Sequence, residues 1–211
     1  MRVVAFVGPS RPAQRFGSEQ LIEWRGPAAR GDLDALDVAE SDVVALIDGV
    51  MITGHSPSPT ECFRLMARGV RLLGSSSVGA LRAVELRHLG MAGYGWVYRR
   101  VLDGTITYDD ELVSNLDPRT YEASSVFLAN VRFGLAAAID TGLLHPEAAE
   151  EALHALRAVP VAARGHDTVV NAMCAAGITP NTASFVLGDR HNVKKRDALG
   201  LLESITRGPA S

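Results

Sequence analysis

Residues 70–86 constrain the fold more than any other stretch: Val70-Arg71-Leu72-Leu73-Gly74-Ser75-Ser76-Ser77-Val78-Gly79-Ala80-Leu81-Arg82-Ala83-Val84-Glu85-Leu86. Apolar Val70, Leu72 and Leu73 are bounded by Gly69 and Gly74, the pattern of a short buried strand. From Ala80 to Leu89 good helix formers carry an apolar stripe at Leu81, Val84 and Leu89, and Gly90 stands where a helix-ending glycine belongs. Ser77 therefore falls at a helix N-terminus beside the carboxyl end of a strand, where backbone amides converge and the helix dipole is positive. The spacing Ser75-x-Ser77-x-Gly79 is close to the G-x-S-x-G elbow that exposes a nucleophilic serine, with serine in place of the first glycine. The turn is expected to present Ser77 to solvent. A serine ahead of a helix is also an ordinary N-cap, so the residue carries a structural reading beside the chemical one.

The rest of the amino-terminal half repeats the same alternation. Arg2 to Val7 is a β-branched run ended by Gly8-Pro9-Ser10, and Leu21 to Trp24 reads as a brief second strand. Asp32 is placed to cap a short helix from Leu33 to Ala39. Val43 to Ile47 is apolar without polar alternation, which suits a parallel strand covered on both faces, and Asp48-Gly49 stands at its end. Ser58-Pro59-Thr60-Glu61 is a capping box for a helix from Pro59 to Arg68, so Glu61 has a structural reading of its own. His55 lies in the loop before it. Strands alternating with short helices imply an α/β fold with a mostly parallel sheet flanked by helices. Ligands bind such sheets at the carboxyl ends of the strands. Gly8, Asp48 and Ser75 to Ser77 would share that edge.

From Met91 onward the pattern turns helical: Tyr94 to Leu102, Ser124 to Ile139, Pro146 to Ala158, Asp167 to Ala176, Pro180 to Leu187 and Lys194 to Ile205, with a frayed Gly208–Ser211 tail. The expected organisation is an α/β core over residues 1–92 and a helical region over residues 93–211 packed on it. Asp109-Asp110-Glu111 lacks the ligand spacing of a calcium loop and reads as a solvated acidic turn or a helix start; no metal site and no cofactor is expected. A net charge of −3 gives no sign of a nucleic-acid surface, and no apolar run reaches membrane-spanning length. Cys62 and Cys174 read as buried apolar residues. With Met1-Arg2-Val3 leading straight into a strand, a cytoplasmic location is expected. Only Lys194 and Lys195 are lysine among 21 basic residues.

These stretches together carry a resemblance. Gly8-Pro9-Ser10, Pro27-Ala28-Ala29-Arg30-Gly31-Asp32, Ala45-Leu46-Ile47-Asp48-Gly49-Val50, Gly74 through Leu86, Gly90-Met91-Ala92-Gly93-Tyr94-Gly95 and Asp109-Asp110-Glu111 occur in the order found in TfuA-like proteins. The chain resembles that family over roughly its first half. The resemblance implies an accessory role beside a YcaO enzyme in backbone thioamidation of a ribosomally made peptide. The implied activity is hydrolysis of a thiocarboxylated ubiquitin-like sulfur carrier, with the precursor peptide as a further partner and no nucleic acid or membrane. The alternative is a non-catalytic adaptor that docks the YcaO. The family site pairs a serine with a lysine. Ser77 matches the serine; Thr60 stands where the lysine falls in many members. Either the base is replaced, or a distant lysine reaches the site, or the chain is not a hydrolase. Within the first option, the residues themselves offer His55, Asp48 or Glu61 as base, His55 having the most suitable ordinary pKa. The catalytic candidates are thus Ser77, His55 and Asp48. The substrate- or partner-binding candidates are Ser10, Arg30, Asp32, Glu61, Ser76, Arg82 and Glu85, the last two spaced to pair on one helix face.

Overall fold

A computed structural model of the chain describes residues 2–13, 22–51 and 54–207. Leu21 and the Gly208–Ser211 tail lie outside the described residues. Five short strands, β1 (Val3–Phe6), β2 (Ile22–Arg25), β3 (Val43–Leu46), β4 (Arg71–Ser75) and β5 (Ala92–Tyr94), form one sheet in the order β2-β1-β3-β4-β5. Every pairing is parallel, with Phe6 beside Leu46 and Leu46 beside Gly74. This is a doubly wound order, and its switch point lies between β1 and β3. The buried runs of β1 and β3 explain why: strands apolar on both faces demand cover on both faces.

Helices α1 (Pro59–Ala67) and α2 (Val78–Leu86) supply one cover. Cys62, Leu65, Val78, Ala83 and Leu86 pack with Val4, Phe6, Val44, Leu46 and Leu72. After α3 (Gly95–Leu102) come α4 (Leu128–Asp140), α5 (Pro146–Arg157), α6 (His166–Ala175) and α7 (Pro180–Val186), and then α8 (Val193–Thr206) covers the opposite face of the sheet. Its Ala198, Leu201, Leu202 and Ile205 meet Val3, Ala5, Val7, Val43, Ala45 and Ile47. Asp197 of α8 also accepts from the Trp96 and Val97 amides at 2.9 and 2.8 Å, capping α3. Burial raises the Asp197 carboxyl above its ordinary range.

Contacts divide the chain into two compact units, Met1–Thr107 with Lys194–Ser211, and Tyr108–Val193. The second unit has its own core, in which Leu128, Val131 and Leu135 of α4 meet Leu153 and Leu156 of α5, Val169 and Met173 of α6 and Val186 of α7. The return of the last helix to the sheet is not visible in the sequence pattern.

Three expectations need correction. Residues 33–39 form no helix: 31–35 turn and 36–39 run irregularly, and Asp32, the expected cap, gives its carboxylate to the preceding Ala29 amide at 2.7 Å rather than to the turn that follows. The helix expected from Ser124 starts at Leu128: Phe127 before it is still extended, and the segment is tied to the Asn115 and Arg164 carbonyls through the Ser124 and Val126 amides. A fifth strand follows Met91; Ala92-Gly93-Tyr94 has weak strand propensity and is a strand through its pairing with Leu73-Gly74-Ser75.

The capping box at α1 is present, with Glu61 N donating to Ser58 Oγ at 3.2 Å and Ser58 N to Glu61 Oε2 at 3.3 Å. Ser58→Ala removes half of it. Urea unfolding of this variant is expected to show a loss of about 1 kcal/mol. A loss below about 0.3 kcal/mol would mean that Glu61, held by Gly31 and Leu33, carries the cap alone.

Candidate functional site

Asp48 follows β3 at the switch point and is 2% exposed. Its Oδ2 accepts from the Gly8 and Ser10 amides at 2.9 Å each, and its Oδ1 from Ser10 Oγ at 2.8 Å. The loop after β1 thus folds around the carboxylate that follows β3. Lys194 Nζ lies 3.8 Å from Asp48 Oδ1, with the lysine side chain 2% exposed. Burial lowers the Lys194 ammonium from 10.5 to about 8, and the Asp48 charge opposes that fall.

The serine turn adjoins this pair. Ser76 Oγ donates to the Lys194 carbonyl at 2.8 Å, and Ser75 Oγ to the Tyr94 carbonyl at 3.0 Å. Ser76 has φ of 63°, the left-handed region that non-glycine residues rarely adopt. Strain at a strand-to-helix turn is the mark of an elbow, and here it falls one residue before Ser77. Ser77 precedes α2, yet its hydroxyl does not cap the helix. The N-cap reading of Ser77 is therefore not realised.

Two glycines bring α2 against the sheet. A Cβ on Gly79 would sit 1.7 Å from the Leu46 carbonyl oxygen, and one on Gly74 would sit 2.0 Å from the Gly79 carbonyl oxygen. Only bare backbone fits at both places. This approach sets the first turn of α2 beside the end of β3, with the Gly79 amide 3.4 Å from the Ile47 carbonyl.

Ser77 is 4% exposed and Ser75 and Ser76 are fully buried, which corrects the expectation of a solvent-facing serine. The close packing enforced by Gly74 and Gly79 is the physical reason. The convergence of Ser10, Asp48 and the serine turn on one sheet edge is observed, and Lys194 joins them from the far end of the sequence. The signal for Lys194 was thin: one of two lysines in an arginine-rich chain, 117 positions from Ser77 along the sequence.

The remaining candidates lie in the neighbouring loops. His55 is exposed, and its carbonyl accepts from the Arg30 amide at 2.7 Å. Arg30 is exposed too. Glu61 is 1% exposed and its carboxylate is spent on the Gly31, Leu33 and Ser58 amides. Asp32 closes the same loop. Arg82 pairs with Glu85 at 2.8 Å and donates to the Pro57 carbonyl at 2.7 Å, fastening the segment that carries His55. Cys62 is fully buried, and burial pushes its thiol up to about 12, far from a reactive thiolate.

Asp109-Asp110-Glu111 belongs to the second unit and forms a single 3-10 turn, exposed at Asp109 but not at Glu111. Glu111 is fully buried, accepting from Arg132 Nε and Nη2 at 2.9 Å each and from Arg157 Nε at 3.2 Å, while Asp110 pairs with Arg164. Among the described residues no group of three metal-ligating side chains occurs. No helix among them is long and apolar enough to cross a membrane.

A family model described as TfuA-like protein matches residues 48–165, more than half of the chain. The chain belongs to the TfuA-like family. The match opens at Asp48 and contains the serine turn; Ser10 and Lys194 fall outside it. No curated protein matches the chain. A TfuA-like protein with this architecture is consistent with an accessory role beside a YcaO enzyme.

Proposed function

We propose that this TfuA-like protein hydrolyses the terminal thiocarboxylate of a ubiquitin-like sulfur carrier and delivers sulfide to a YcaO enzyme that thioamidates a peptide. The observation that carries this reading is the buried Asp48–Lys194 pair beside the strained serine turn. The 1–92 core carries the chemistry, completed by Lys194 from α8.

Ser77 Oγ attacks the thiocarboxylate carbon while the neutral Lys194 amine takes the hydroxyl proton. Backbone amides at the start of α2 hold the developing oxyanion. The carbon–sulfur bond then breaks and the proton passes from Lys194 to sulfur, so sulfide leaves as HS⁻. Water attacks the acyl-serine, Lys194 again takes a proton and returns it to Ser77 Oγ, and the carboxylic acid so released gives its own proton to solvent. A lysine held near pH 8 keeps a working neutral fraction under ordinary conditions.

A second reading has its own observation. Ser77 at 4% exposure favours a non-catalytic adaptor that docks the YcaO and raises its affinity for peptide or sulfur donor. Purified protein mixed with thiocarboxylated carrier separates the two. Sulfide above the uncatalysed rate, without YcaO, supports the hydrolase. Background release, together with YcaO thioamidation that still requires the protein, supports the adaptor.

A further inference from the structure

The second unit contains a cavity of about 420 Å³ where the 108–110 turn meets the last turn of α5, lined by Tyr108, Asp110, His154, Arg157 and Ala158. None of these residues takes part in the proposed sulfur chemistry. We propose that this cavity is a binding site for a monoanionic carboxylate carried beside an aromatic or apolar group.

The floor is rigid. Fully buried Glu111 is gripped by both arms of Arg132, and its Oε1 also takes Arg157 Nε. Arg157 is thereby fixed along one edge of its guanidinium. Its terminal nitrogens make no hydrogen bond among the described residues, and the side chain is 30% exposed. That leaves a pre-oriented fork of the kind that takes a carboxylate in two parallel hydrogen bonds.

Charge points the same way. Asp110 is neutralised by Arg164, which is 1% exposed and also donates to the Asp110 and Val159 carbonyls at 2.8 and 2.9 Å. In this paired cluster three guanidiniums face two carboxylates, so one positive charge is left over, on the side where Arg157 meets the cavity. A dianion would ask for a second fixed cation. Beside Arg157 the lining holds Tyr108, Asp110, His154 and Ala158, none of them a permanent cation. The negative end of α5 does not offset Arg157, because the Ala155 and Leu156 carbonyls already accept from the Ala158 and Val159 amides.

Tyr108 gives the apolar half of the site. It is 59% exposed, and the Arg157 guanidinium carbon lies 5.8 Å from its ring centroid. A large exposed aromatic beside a pinned arginine is the composition of a recognition centre.

The test uses the full chain and NMR titration with three probes: N-acetyl-phenylalanine, its neutral amide, and the capped tripeptide acetyl-Phe-Glu-Phe-amide. The expected result is saturable shifts at Arg157 and Tyr108 with at least one acidic probe at millimolar concentration, and at least tenfold weaker binding of the amide. Binding by the tripeptide assigns the site to an acidic residue within a peptide. Binding by the free acid alone assigns it to a small acid. Arg157→Gln is expected to weaken the acidic probe at least tenfold. Tyr108→Ala, an exposed change that leaves the Glu111 cluster whole, is expected to weaken it several-fold. Equal binding of acid and amide, no shift up to about 20 mM, or unchanged affinity in Tyr108→Ala together with a folded Arg157→Gln overturns the proposal.

Discussion

Lys194→Met is expected to lower sulfide release from a thiocarboxylated carrier about a thousandfold while leaving the fold intact. Methionine keeps the length and apolar stem of lysine and deletes the base together with the charge opposite Asp48, whose carboxylate keeps the Gly8 and Ser10 amides and the Ser10 hydroxyl. Ser77→Ala should lose as much, and the double variant little more, because nucleophile and base act as a unit. In the wild type the rate should rise with pH through about 8 and level off above it, as the Lys194 ammonium gives up its proton. The lysine can be watched directly. Protein labelled in lysine has only two side-chain Cε signals, and one of them should titrate near 8. Stability carries the same signature with a definite sign. Folding holds Lys194 at about 8 against 10.5 for a free lysine, so between those values the unfolded chain binds more protons. Wild type should therefore gain stability relative to Lys194→Met as pH climbs from 8 to 10.5, by up to roughly 3 kcal/mol. A variant that keeps sulfide release within tenfold of wild type removes Lys194 from the chemistry, and a flat stability difference removes its buried charge.

What could be read from the chain alone divides along a physical line. Val43–Leu46 and the serine turn were legible because burial on both faces and glycine punctuation are local signals. So was the capping box at Ser58, whose partners are three residues apart. The lack of a helix at 33–39 was not, because Asp32 can serve amides on either side and its carboxylate turns back to the Ala29 amide. The fate of Asp110 and Glu111 was settled by Arg132, Arg157 and Arg164, which only the folded second unit brings near. Lys194 is the extreme case. Its helix shows the ordinary amphipathic pattern, and nothing in that pattern says which surface it will cover. The apolar stripe of Ala198, Leu201, Leu202 and Ile205 finds its partner in the sheet face opposite α1 and α2, and that docking carries Lys194 to Asp48.

The second large effect concerns the backbone that holds the serine turn in place. Gly79→Ala puts a methyl 1.7 Å from the Leu46 carbonyl oxygen and 2.6 Å from its carbon, and neither atom can move without breaking the β3–β4 pairing. The first turn of α2 must lift away instead, losing the packing of Val78 and Ala83 against Leu46 and Phe6. Urea unfolding should show a loss of about 3 kcal/mol or more. Gly165→Ala, where an added Cβ meets nothing within 4 Å, is the matched control and should stay within about 1 kcal/mol of wild type. Because α2 carries Ser77 at its start, the surviving folded fraction of Gly79→Ala should also lose sulfide release, since a displaced nucleophile no longer meets its base. Equal stability of the two alanine variants would mean that the helix does not sit on the strand as closely as Gly74 and Gly79 require, and the geometry proposed for Ser77 and Lys194 would fall with it.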